Sequence, residues 1–187
     1  MKEQGKYEEA LEKLMEGLQI VRKEVGNDHA DVACTLHMIG DTYDSQGKHE
    51  LALRKYQQAL DIICKVQGPE HPDVGQVYGC MGHTFCSLED YDKALEYFEK
   101  ALRLWRNTLG PEDDYVGGSL TNIAGVLIKQ GKLELALRKL EDMLQMQLQV
   151  FGAEHQQVAR THFSMGNAYL EHGEHDKALE CFNKALA

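Results

Sequence analysis

The sequence predicts an all-α fold, a stack of antiparallel helix hairpins, and three observations carry that expectation. A glycine returns every 42 residues, at Gly26, Gly68, Gly110 and Gly152. An Ala-Leu pair holds the same period, with its alanines at Ala10, Ala52, Ala94, Ala136 and Ala178. Inside each unit the apolar side chains return every three to four residues, which is the spacing of one helix face. Self-similarity at a fixed period marks a repeat architecture, in which each unit buries its apolar sides against its neighbours.

The first 26 residues hold the end of one helix A and a complete helix B, a partial repeat. Full repeats follow at 27–68, 69–110 and 111–152, and a C-terminal repeat at 153–187 stops inside its helix B, so that 1–187 reads as a single array. In the first full repeat, Val32, Leu36, Ile39 and Tyr43 form the stripe of helix A. Ala52, Tyr56, Ala59, Leu60 and Ile63 form that of helix B. Gln46-Gly47-Lys48 joins them, with glycine placed to end a helix. The turn recurs as Gln130-Gly131-Lys132 and His172-Gly173-Glu174, but the second copy reads Leu88-Glu89-Asp90 and lacks its glycine. Each loop after helix B opens on glycine, and a valine recurs in the same register at Val32, Val74, Val116 and Val158: GNDHADVA, GPEHPDVG, GPEDDYVG, GAEHQQVA. A small-residue column, Gly40, Gly82, Ala124 and Gly166, lets helix A approach helix B closely. A further apolar column, Ile20, Ile62, Leu104 and Met146, lengthens helix B. Neither end shows a polar capping helix, so the expectation is a fragment of a longer array.

Composition narrows the function. The chain has 187 residues, 43% of them hydrophobic and 27% charged, enough for a continuous core. A formal charge of −10 repels phosphate backbones and anionic headgroups, so neither nucleic acid nor membrane is an expected partner. No apolar run approaches the roughly 18 residues of a spanning helix, and the charged start MKEQGKYEEALEK is not a secretory signal. Five cysteines, with no CxxC pair, read as reduced thiols in a cytoplasmic protein.

The unit resembles the tetratricopeptide repeat. Its signature of large, Leu-like, small, aromatic, Ala, aromatic and Ala falls on Leu36, Ile39, Gly40, Tyr43, Ala52, Tyr56 and Ala59. In the next copy it falls on Tyr78, Met81, Gly82, Phe85, Ala94, Phe98 and Ala101. The final proline of the signature is replaced by Cys64 and Arg106, which lets helix B run on. The 42-residue form with its G-x-[DE]-H-[PA]-D-V loop is similar to the kinesin light chain repeats. The resemblance implies a right-handed α–α superhelix whose helices A line a concave, peptide-binding face. The residues it places there are His37, Asp41 and Asp44; Gly79 and His83; Thr121, Asn122, Gly125 and Lys129; and Arg160, Phe163 and Asn167. Asp41 and Asp44, three apart on one face, suit a Lys or Arg of the partner. Kinesin-type recognition of acidic cargo peptides is not expected. Only Lys129 and Arg160 supply positive charge, and the L-N-N-L-A stretch survives only as Leu120-Thr121-Asn122-Ile123-Ala124.

Residues with chemical potential read as structural. Cys80, His83 and Cys86 spread over about 120° of one helix without a fourth ligand, so no metal site is expected. His29, His71 and His155, with Asp113 in the third copy, read as loop residues bonded to nearby backbone. Trp105 reads as packing, and Gln147 in its column suggests that this position lies at the edge of the core. No GxSxG, HExxH, P-loop or GxGxxG occurs, so no catalytic residue and no cofactor are expected. The expected function is a protein–protein interaction scaffold that holds a peptide or helix of its partner in the groove of helices A. The competing expectations are weak self-association through uncapped terminal helices, or a regulatory segment of a larger signalling enzyme or NTPase.

Overall fold

The computed structural model describes residues 2–111 and 113–186, with side chains from residue 6 onward. The described residues form nine helices and no strand: α1 Lys2–Val25, α2 Ala30–Ser45, α3 His49–Val66, α4 Pro72–Ser87, α5 Tyr91–Thr108, α6 Asp114–Lys129, α7 Leu133–Phe151, α8 Gln156–Glu171 and α9 His175–Leu186. None is long and apolar enough to cross a membrane. The chain divides into two compact units, Met1–Tyr97 and Phe98–Ala187, the boundary falling within α5.

In unit 1, α1 packs on α2, α2 on α3, and α3 on α4. The core is the predicted stripe: Val32, Leu36, Ile39, Ala52 and Ala59 are wholly buried, as are Val74 and Val77 on α4 within 1%. In unit 2, α6, α7, α8 and α9 pack in succession, around Val116, Ile123, Leu140, Ala136, Val158 and Ala168. The alanine column is buried at Ala52, Ala94, Ala136 and Ala178. Ala10, on α1, is exposed, and α1 runs as one unbroken helix over Lys2–Val25 where the sequence suggested the end of a helix A followed by a helix B.

The loops start each helix A in one way. His29, His71 and His155 are N-caps whose Nδ1 accepts the backbone N–H two residues on, at 3.2, 3.2 and 3.3 Å. Asp113 does the same through Oδ1 at 2.9 Å. The repeating histidine is therefore a cap that satisfies an orphan helix donor, and its acceptor role needs an unprotonated Nδ1.

Helix A ends in a paired-bond cap. The N–H of Gly47 donates to Asp44 at 2.8 Å and that of Lys48 to Tyr43 at 2.9 Å. This closure needs a left-handed residue, and Gly47, Gly131 and Gly173 supply it at φ of 74°, 73° and 80°. Where the second copy lacks glycine, the chain takes the same path. Glu89 is forced to φ 60°, and Asp90 N–H still reaches Phe85 O at 3.0 Å. A side chain in this conformation costs about 1 kcal/mol. Glu89→Gly is expected to raise the thermal midpoint by about 2–4 °C, measured by circular dichroism; an unchanged or lower midpoint would show that Glu89 carries no strain.

The structure corrects the reading of Gln147. It is 2% exposed, well inside unit 2 rather than at a core edge. Its amide oxygen accepts the Thr161 hydroxyl at 2.6 Å, and its amide nitrogen donates to Gln157 Oε1 at 3.4 Å. A polar side chain is tolerated in this apolar column because α8 brings it partners. Trp105 is 4% exposed and stacks on Tyr115 at 4.6 Å, a packing role as expected.

Candidate protein-interaction surface

Within each unit, alternate helices also meet: α2 touches α4, and α6 touches α8. These are the helices A, and the sequence-predicted residues divide between the two pairs.

In unit 1 the outward residues are bonded to one another. The His37 ring stands edge-on to the Tyr56 ring at 5.5 Å, with Nε2 at 3.3 Å from Cys80 Sγ and 3.7 Å from Asp41 Oδ1. The Tyr56 hydroxyl donates to Asp41 Oδ1 at 2.7 Å. Asp44 Oδ1 lies 2.8 Å from His49 Nδ1. The acidic pair is thus already engaged within unit 1. Asp44 is half-buried against His49, and only Asp41 is exposed, with one oxygen already accepting from Tyr56. Burial, with Asp41 and Asp44 nearby, pushes the Cys80 thiol up to about 12. Burial and the Asp41 bond likewise raise the Tyr56 phenol. A cleft of about 300 Å³ opens beside Cys34, His37, Asp41, Asp73 and Gln76. Gly79 faces open space, since a Cβ there would meet nothing within 4 Å, and His83 is exposed.

Unit 2 holds the larger opening, a cleft of about 580 Å³. Thr121, Arg160, Phe163 and Asn167, four of the expected residues, line it together. Phe163 is 55% exposed, its ring 5.4 Å from that of Phe182. Among the described residues no ion pair holds the exposed Arg160 guanidinium. Gly125 leaves open space beside α6. Asn122 is half-buried and Lys129 exposed, and neither lines the cleft. Sequence reasoning missed Phe182 and Leu186, which form the cleft's apolar wall from α9. Phe182 sits in the aromatic column of helix B, 42 residues after Leu140, so its position signalled packing alone.

Comparison with known proteins decides the family. A tetratricopeptide repeat model matches residues 2–65, 73–117 and 115–187. The chain belongs to the tetratricopeptide repeat family. Its all-α hairpin stack is the solenoid fold of that family, and several solved structures share it. The TPR-like repeats of a candidate kinesin light chain from Podosopora anserina superpose with a TM-score of 0.82 at 21% identity, covering 98% of this chain and 87% of that one. BtubC (BKLC) from P. vanneervenii gives 0.80 at 19% identity, covering 98% and 73%. A Rap protein solved in complex with competence and sporulation factor gives 0.72 at 18% identity, covering 98% and 49%. No curated protein sequence matches the chain. At these identities the structural likeness concerns the fold, and the tetratricopeptide repeats themselves support a protein-interaction scaffold.

Proposed function

We propose that the chain is a scaffold that seats a peptide or helix of a partner protein against the helices A, with the unit 2 cleft as the main seat. The observation that carries this reading is Phe163. A large aromatic side chain more than half exposed in a cleft with a second aromatic ring forms an apolar anchor point of the kind that dominates interfaces. Arg160 and Asn167 at its rim supply one positive charge and one amide, which suits a partner segment with an apolar side chain flanked by an acidic or carboxyl group. A Rap protein of similar fold was solved with a bound factor, which supports the same use of the fold.

Peptides selected from a random library on the intact chain test this. Phe163→Ala and Arg160→Glu are each expected to weaken the selected peptides about tenfold or more, read by fluorescence titration. Peptides that bind both variants as tightly as the parent would sink the assignment of this seat. The exposure of Leu179 at 61% and Leu186 at 87% on α9 favours a second reading, association between two copies through α9. Light scattering over a range of concentrations separates the two, since a monomer throughout leaves only the peptide seat.

A further inference from the structure

The geometry points to a transition-metal site, suited to Zn²⁺, formed by His37 Nε2, Asp41 and Cys80 Sγ in unit 1. These ligand atoms come from two helices that the fold presses together, α2 and α4, and all lie within 4.8 Å of one another. Two atoms bonded to one tetrahedral zinc stand about 3.3–3.8 Å apart, given Zn–N, Zn–O and Zn–S lengths near 2.0–2.3 Å. His37 Nε2 is 3.3 Å from Cys80 Sγ and 3.7 Å from Asp41 Oδ1, which matches that spacing. Imidazole, thiolate and carboxylate together favour zinc or cobalt over the hard cations. The open cleft beside His37 and Asp41 would leave a fourth position to a water ligand.

Two further observations separate this cluster from ordinary packing. First, the buried Tyr56, 2% exposed, donates its hydroxyl to Asp41 at 2.7 Å. An outer hydrogen bond of this kind orients a ligating carboxylate. Second, the set is unique among the repeats. The equivalent positions read Gly79, His83 and Asn122, then Thr121, Gly125 and Ser164. The hairpin stack therefore does not need these three side chains. The site lies in unit 1 and does not depend on the peptide seat. It differs from the single-helix set Cys80, His83 and Cys86 because only the tertiary fold brings residues 37 and 80 together.

Cobalt titration of the intact chain, stripped with chelator and kept reduced, tests it. One equivalent of Co²⁺ is expected to give a thiolate-to-cobalt charge-transfer band and tetrahedral visible bands, displaced by Zn²⁺. Cys80→Ser and His37→Gln are expected to abolish the band, while Cys34→Ser and Cys86→Ser keep it. Tyr56→Phe is expected to weaken cobalt binding about tenfold. Both ligand variants place a small or polar side chain where other repeats tolerate one, and far-ultraviolet circular dichroism checks that they remain helical. If Cys80→Ser loses helix, His37→Gln alone decides. Absence of a thiolate band in the parent chain, or a band that survives in a folded Cys80→Ser or His37→Gln, would overturn the site.

Discussion

Gly166→Ala is expected to destabilise unit 2 by about 3 kcal/mol, and Phe182→Leu added to it to restore much of that loss. A Cβ built on Gly166 lies 2.5 Å from Phe182 Cε1 and 2.6 Å from Cδ1, well inside contact distance. The ring is stiff, so the helices must separate or the ring must leave its rotamer, and overpacking of this size costs about 1–3 kcal/mol or more. Gly40 faces the same problem, with Tyr56 Cε1 at 2.5 Å. The third full repeat shows the solution. There the small position is Ala124 and the facing column holds Leu140, both within 1% of complete burial. Glycine goes with a flat aromatic and alanine with a branched aliphatic residue, so the two positions vary as a pair. Thermal and urea unfolding of the two single variants and the double give the coupling energy. A double variant no more stable than Gly166→Ala would show that the clash lies elsewhere.

The second large effect is expected at the buried polar pair. Thr161→Val removes the hydroxyl that donates to Gln147 Oε1 at 2.6 Å and leaves a buried acceptor without it. Stranding such a group costs about 1–3 kcal/mol. Gln147→Ile with Thr161→Val copies the apolar pair that another repeat already uses, Ile63 at 4% exposure against Val77 at 1%. Replacing both partners by apolar groups of similar size is close to neutral or stabilising. The double variant is therefore expected to unfold at or above the parent midpoint, and the Thr161→Val single clearly below it. Equal destabilisation in the single and the double would remove the hydrogen bond as the cause.

How much was legible in the sequence differs between fold and surface. The small column, the valine column and the turn glycines announced helix pairs, turn positions and buried faces, because each is a local requirement repeated in every unit. The histidine caps were legible as backbone-bonded loop residues for the same reason. The candidate seat was half legible. Thr121, Arg160, Phe163 and Asn167 follow from helix A register, and the structure gathers them at one cleft. Phe182 and Leu186 escaped because a helix B residue at a packing position gives no local sign that its far side stays open.

The order of helices α2 to α9, their turns and most of the apolar residues that face inward were legible in the sequence alone, since 3.6-residue periodicity and a repeated glycine depend on neighbours along the chain. The partners of side chains were decided only by tertiary structure. Asp44 found His49, Gln147 found Thr161, and His37 with Asp41 found Cys80, more than 35 residues away, once α4 packed beside α2. Hydrogen bonding and metal ligation act over about 2–4 Å. A contact between helices depends on their separation and rotation, which no single stretch of sequence encodes.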